Sequence, residues 1–162
     1  MKPIRTCIPV LFVFLVVWIG AASADGRPSS RPPPPPVYVE ECGSCHVAYP
    51  ARFLGASSWS AVLAGLESHF GVDASVDPRV LEELRGYLLA GARSRETVDG
   101  AKPLLRITQT PWFRHEHPRP SASVWAHPDV KSPANCGACH RQAESGDYRE
   151  RSLRMPKKGE TK

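Results

Sequence analysis

The chain has almost no long apolar segments. The one extended apolar run lies at residues 10–19, and no later stretch is long and apolar enough to cross a membrane. This run is shorter than the ~20 residues that span a bilayer. It follows two basic residues and precedes a small-residue triplet at 22–24, which is the order found in a secretory signal peptide. We therefore predict that residues 1–24 direct export to the periplasm and are cleaved after Ala24, with an uncleaved membrane anchor as the alternative.

The chain also lacks a large excess of charge of either sign. Without the signal peptide the chain has 19 basic and 16 acidic residues, and its basic residues are not interleaved with aromatic side chains. A nucleic-acid-binding function is therefore excluded. Large apolar residues are sparse for a domain of this length, whereas the chain has 17 prolines. Five of these are consecutive and favour an extended conformation, so we interpret residues 25–36 as a proline-rich arm.

Beyond the signal peptide, cysteine occurs only in two copies of one short pattern. The sequence is Cys-Gly-Ser-Cys-His at residues 42–46 and Cys-Gly-Ala-Cys-His at residues 136–140. Cys-x-x-Cys-His is the attachment site of a c-type haem, in which both thiols form thioethers and the histidine binds the iron. Disulfides and zinc are the other uses of paired cysteines, but the histidine after each pair favours haem. We predict two c-type haems, with thioethers from Cys42, Cys45, Cys136 and Cys139 and proximal iron ligands His46 and His140.

Two covalently held haems would also supply much of the apolar material that the sequence lacks. The apoprotein is therefore predicted to fold poorly. We expect a mostly α fold, a small haem-packed cytochrome c with short helices and irregular loops. The domain would span residues 37–148, with haem halves at about 37–92 and 103–148, and residues 149–162 would form a charged tail.

Short helices are predicted where capping residues precede apolar residues at helical spacing. One would begin at Ser57 or Ser58 and continue through His69 to Phe70, and a second would run from Asp77-Pro78 to Gly91. Further helical segments are expected after Thr110-Pro111 and from Asn135 to about Gly146. Residues 93–102 are interpreted as a loop, and no stretch of the chain shows a convincing strand pattern.

A second axial ligand decides whether each iron is closed to other molecules. Methionine and histidine are the usual choices. Beyond the signal peptide the chain has one methionine, Met155, in the predicted tail, which is a poor candidate. The histidines outside the motifs are His69, His115, His117 and His127.

Among these histidines, His69 is the first candidate because it continues the apolar stripe of its predicted helix. His115 and His117 are two residues apart and would point to nearly opposite sides of a helix, so at most one should face a given haem. The residues alone do not choose between them. His127 is more typical of a surface loop.

Several short stretches resemble the family of small exported dihaem cytochromes c. They lie at residues 37–50, 68–71, 74–75, 106–108, 112–113, 116–117, 136–140 and 143–144. This resemblance implies that His69 and His117 are the distal iron ligands and that His115 is a bystander. It further implies low-spin, bis-histidine haems of low potential, a membrane b-type cytochrome as donor and a small oxygen-binding monohaem cytochrome c as acceptor.

The resulting hypothesis is an electron carrier that relays electrons between redox partner proteins and has no substrate of its own. We assign His69 to the first haem and His117 to the second, with the crossed pairing as the alternative. A rival hypothesis is a haem enzyme or sensor with one open iron site, resembling a peroxidase. A third is an immobile subunit of a larger membrane complex.

Overall fold

The computed structural model describes residues 33–95 and 98–156. The predicted signal peptide, most of the predicted proline-rich arm and the end of the predicted charged tail lie outside the described residues. Within the described residues, no helix has the length and apolar composition needed to span a membrane. Short helices and 3₁₀ turns dominate the described part, and the predicted mostly α fold is confirmed.

Three helices form the first half of the domain: α1 (Pro36–Gly43), α2 (Ala56–Ala64) and α3 (Pro78–Gly91). Helix α3 has the predicted bounds, because the Asp77 side chain accepts a hydrogen bond from the backbone of Arg79 and proline occupies the first helical position. Helix α1 begins at Pro36, the last proline of the run.

Helix α2 differs from the prediction at both ends. It begins at Ala56 with Gly55 as the N-cap residue, so the predicted cap at Ser57 or Ser58 is wrong. It ends at Ala64, and Gly65 connects it to a 3₁₀ turn at Leu66–Ser68. Glycine commonly stops a helix because it adopts conformations outside the helical region at little cost. The predicted continuous helix through residue 70 is therefore interrupted before the histidine that it was expected to carry.

A small hairpin connects the two halves. Strand β1 (Val98–Asp99) pairs antiparallel with β2 (Lys102–Pro103), and Gly100 between them has a φ of 58°. The sequence predicts a loop over residues 93–102 and no strand, so the hairpin is a correction to this prediction. Strands of two residues are too short to show the alternation by which strands are recognised in a sequence.

The second half has two short helices, α4 (Pro111–Glu116) and α5 (Ala122–Trp125). Helix α4 begins as predicted, since the Thr110 side chain accepts a hydrogen bond from the backbone of Phe113. The predicted helix from residue 135 to 146 is wrong, because this segment consists of two 3₁₀ turns, Cys136–Ala138 and Ala143–Ser145.

The segment after residue 149 accounts for this interruption. His140 forms a bridge with Leu153, and the backbone nitrogen of Arg154 donates to the carbonyl of Cys139 at 2.9 Å. Through these contacts, backbone groups of the second motif pair with residues 153 and 154 and not with the next turn of a helix. The first residues of the predicted tail therefore lie against the second motif.

The protein-built core is concentrated in the first half. Helices α1, α2 and α3 and the turn at Ala51–Phe53 bury one continuous apolar cluster, consisting of Tyr38, Ala51, Leu54, Trp59, Leu63, Leu84 and Leu88. The second half buries few apolar side chains, which are Phe113, Val130 and Ala143. The two halves therefore differ in how much of their stability comes from protein side chains.

Two glycines of α3 give a matched test of this core. A Cβ at Gly91 would lie 2.7 Å from the Cβ of the buried Ala51, whereas a Cβ at Gly86 would have no neighbour within 4 Å. Gly91→Ala should lower the free energy of unfolding by about 1–2 kcal/mol through overpacking. Gly86→Ala should raise it by about 0.5–1 kcal/mol through helix propensity. Denaturant unfolding of the holoprotein measures both, and equal effects would contradict the packing shown by the structure.

Candidate haem sites

The first Cys-x-x-Cys-His motif lies at the end of α1. Cys42 is within the helix and half-buried, and the chain leaves the helix after Gly43, so Cys45 and His46 lie beyond its end and are exposed. Burial, with a smaller effect from Glu41, raises the pKa of Cys42 to about 11. Neither cysteine of this motif forms a disulfide in the described part of the chain. The motif therefore presents one sheltered thiol and one thiol that faces solvent.

The structure places His69 beside His46. Their ring centroids are 6.3 Å apart and their planes differ by 27°. The Nδ1 of His46 donates to the carbonyl of Val47 at 2.8 Å. Since a carbonyl only accepts, this hydrogen bond places the proton on Nδ1 and leaves the lone pair of Nε2 for a metal.

A tight turn presents His69. The backbone nitrogen of Val72 donates to the carbonyl of His69 at 3.1 Å, and the two residues between them, Phe70 and Gly71, have φ values of 50° and 103°. Two successive positive φ values are characteristic of a type I′ turn. Burial lowers the pKa of His69, and the neighbouring His46 and Arg106 lower it further. This shift favours the neutral form of His69, which is the form that binds a metal.

The second motif pairs in the same way with the end of α4. His117 follows the last residue of this helix, and its ring centroid lies 6.1 Å from that of His140, with 78° between the planes. The Nδ1 of His117 donates to the carbonyl of Phe113 at 2.9 Å, and the two rings stack at 4.1 Å. This hydrogen bond again leaves Nε2 free.

Two buried polar atoms at the second site have no hydrogen-bond partner in the described part of the chain. They are the Nδ1 of His140 and the hydroxyl of Tyr148, whose rings lie 5.2 Å apart. Burial lowers the pKa of His140, His117 lowers it further and Asp147 opposes the shift. Buried polar groups are almost always paired, so these atoms indicate a site built to receive a further group.

A cavity of about 630 Å³ adjoins the second motif. This volume lies within the range of pockets that hold small molecules and cofactors. Its walls combine the thiols and histidines of the second site with five aromatic rings, which belong to Phe53, Trp112, Phe113, Trp125 and Tyr148. Burial is the main cause that raises the pKa of Cys136 to about 11 and that of Cys139 above its usual value. The cavity is lined mainly by apolar and aromatic side chains, with Glu116, Arg119 and Glu150 as charged members, and is bordered by thiols, which fits a covalently held porphyrin.

The two motifs contact each other. The ring of Tyr49 stacks on that of His46 at 4.7 Å, and its hydroxyl donates to the carbonyl of Ala134 at 2.7 Å. A Cβ at Gly137 would lie 3.8 Å from a methyl group of Val47. The residues flanking one motif therefore pack directly against the other.

Of the remaining candidates, neither His115 nor His127 makes a ring contact with a motif histidine in the described part of the chain. His115 is exposed on α4, and the Nδ1 of His127 accepts a hydrogen bond from the backbone of Asp129 at 3.2 Å. Met155, set aside in the sequence, lies on the wall of the cavity. The geometry brings together His46 with His69 and His117 with His140, which is the uncrossed arrangement.

Sequence reasoning missed several residues at these sites. Tyr49 joins the motifs, Phe53 and Tyr148 belong to the cavity, and Arg106 lies against the ring next to His69. Their neighbours are far away in the chain, and no spacing pattern could have assigned them. The resemblance included Tyr49 and Arg106 among its matching stretches but gave neither residue a role.

Both histidine pairs have a spacing suited to an iron atom. Metal–imidazole bonds are about 2 Å long, as known for zinc, which places the centres of two opposed imidazoles about 6 Å apart. The observed centroid separations of 6.3 and 6.1 Å agree with this value. The residues present therefore fit two haems, one at each motif.

Comparison with known proteins agrees with this geometry. The family model described as dihaem cytochrome c matches residues 38–148. A dihaem cytochrome c structure from Rhodobacter sphaeroides is 37% identical, with a TM-score of 0.64, and the match covers 70% of this chain and 96% of that chain. A dihaem cytochrome c structure from Shewanella baltica OS155 is 38% identical, with a TM-score of 0.64 and coverage of 75% and 92%. No curated protein matches significantly. The chain therefore belongs to the dihaem cytochrome c family, carries two c-type haems and is a haem-based electron carrier.

Proposed function

We propose that this protein is a periplasmic electron-transfer protein in which histidine closes both faces of both haem irons. The observation that carries the proposal is the pairing of each motif histidine with a second histidine, at 6.3 Å for His46 and His69 and at 6.1 Å for His117 and His140. Two imidazoles on one iron leave no position for a substrate.

Each bound haem supplies a one-electron ferric–ferrous couple. The four histidines hold the irons and exclude other ligands, and bis-histidine ligation gives a lower potential than ligation by methionine and histidine. The hydrogen bonds from His46 to Val47 and from His117 to Phe113 fix two of the rings and raise their basicity. These features favour electron transfer without bond-making chemistry.

The contact between the motifs supports passage of electrons through the protein. Tyr49 lies against His46 and reaches the segment that precedes Cys136, so the two attachment sites are neighbours. We propose redox proteins as partners, with a membrane b-type cytochrome as donor and a small oxygen-binding monohaem cytochrome c as acceptor. The family resemblance supports these partners.

The visible spectrum of the purified holoprotein tests the ligation. We expect ferric and dithionite-reduced spectra of two low-spin haems that do not change when carbon monoxide is added, because both irons are saturated. A high-spin ferric band, or a Soret shift with carbon monoxide, would show an open iron and support a haem enzyme or a gas sensor. The spectrum of the untreated protein at matched concentration is the control.

A further inference from the structure

The residue after the distal histidine of the first site has an unusual backbone conformation. Phe70 has a φ of 50°, which non-glycine residues seldom adopt, and a bulky side chain there is strained. The side chain is 46% exposed, so burial in the core does not explain the strain. Strain of this kind occurs where the surrounding structure requires one orientation of a residue.

The ring of Phe70 lies between His69 and a positive charge. It makes an edge contact with the His69 ring at a centroid separation of 4.7 Å. The guanidinium carbon of Arg106 lies over the same ring at 4.1 Å, a cation–π distance. The strained turn therefore places His69, Phe70 and Arg106 in consecutive contact.

The second site is built differently. The backbone carbonyl of Phe113 accepts from the ring of His117, and the two rings stack at 4.1 Å. Near the second proximal ligand, His140, lies the carboxylate of Asp147, which the Arg149 side chain binds through two hydrogen bonds and its backbone nitrogen through a third. The distal ligand of the first site thus has a cation on the ring beside it. The charges around the second site are of both signs, namely Asp147 bound by Arg149 and, on the cavity wall, Glu116, Arg119 and Glu150.

We propose that Phe70 orients His69 toward the first haem iron and that Arg106, held on the Phe70 ring, raises the reduction potential of that haem. The inference rests on the proposed ligation of the first iron by His69. A nearby cation opposes the additional positive charge of the ferric state and so favours the ferrous state. Arg106 is exposed, and water and salt screen its charge.

A redox titration of the holoprotein, followed in the visible spectrum, tests the role of the charge. Arg106→Gln should lower one of the two midpoint potentials by the equivalent of about a two- to tenfold change in the reduction equilibrium, with a smaller shift at high salt. Arg106→Lys keeps the positive charge and should leave this midpoint potential close to its wild-type value. The matched control is Arg79→Gln, which removes the same charge from an exposed position on α3. Equal shifts in Arg106→Gln and Arg79→Gln would overturn the proposal.

Substitution of Phe70 by glycine separates orientation from turn formation. Glycine accepts the positive φ without strain, so Phe70→Gly removes the ring and keeps the turn. If the ring has no role beyond the turn, its removal leaves the haem unaffected. Under the proposal, Phe70→Gly gives the first haem partial high-spin character and removes most of the effect of Arg106→Gln in a double variant. An unchanged spectrum and unchanged potentials in Phe70→Gly would contradict it.

His69→Ala distinguishes the failure of this inference from the failure of the proposed function. If His69→Ala leaves both haems low-spin, His69 is not a ligand and the proposed ligation is wrong. If His69→Ala opens one iron while the Phe70 and Arg106 variants behave as the wild type, only the present inference is wrong.

Discussion

Replacement of His117 by alanine should convert one of the two haems to a high-spin form that binds carbon monoxide. The ring of His117 lies 6.1 Å from that of His140 and is held by the carbonyl of Phe113. Under the proposed ligation, its removal leaves one ligand position of the second iron unfilled. Carbon monoxide binding should rise from none to one equivalent per protein. His69→Ala should open the first iron in the same way, and the double variant should bind two equivalents.

The chain offers a close control for this experiment. His115 is two residues away on the same helix and exposed, so His115→Ala should leave both haems low-spin. A His117→Ala protein with an unchanged spectrum would show that another side chain binds the second iron. Met155 lies on the wall of the same cavity, and a second substitution, Met155→Ala, shows whether its thioether has taken the vacant position.

Removal of the second haem should unfold the second half of the domain and leave the first half largely intact. A Cys136→Ser/Cys139→Ser variant lacks both thioethers, and once the haem has been removed from it the cavity of about 630 Å³ has no group to fill it. Leaving even a third of this volume empty costs about 5 kcal/mol at the rate measured for closed cavities, which is comparable with the whole stability of a small domain. The few buried side chains of this half, Phe113, Val130 and Ala143, cannot offset that cost.

Limited proteolysis and amide hydrogen exchange measure this effect. We expect cleavage and loss of protection within residues 104–156, while α1, α2 and α3 keep most of their protection. The matched variant is Cys42→Ser/Cys45→Ser, which removes the haem of the more exposed site and should leave the cluster around Leu84 and Leu88 protected. If both variants show the same protection pattern, the two halves do not differ in their dependence on haem.

What the sequence could predict was largely local. The thiol and proximal histidine positions follow from five adjacent residues, and the start of α3 follows from a side chain that caps a backbone group two residues away. The predicted helix from residue 135 failed because Leu153 and Arg154 pair with the second motif from later in the chain. Helix α2 is interrupted at a single glycine, Gly65. The apolar residues continue at helical spacing past this glycine, so their pattern predicted an unbroken helix.

The distal histidines show the same limit. Spacing on a helix could not choose between His115 and His117, since either residue can face the core. The structure places the ring of His117 on Phe113, at the point where α4 ends and the backbone has left the helical region. Which histidine meets which motif depends on tertiary contacts, and the family resemblance, rather than periodicity, gave the preference for His117.

The contact between the two motifs bears on how this domain can vary. Tyr49 donates a hydrogen bond to Ala134, and Val47 lies close enough to Gly137 that a Cβ there would touch it, so these residues hold the attachment sites at a fixed separation. The polypeptide that joins the halves therefore does not determine this separation. Residues inserted at the exposed hairpin tip near Gly100 would lengthen the chain between the haems without moving them apart. Variation in loop length is thus compatible with a constant rate of electron exchange between the two centres.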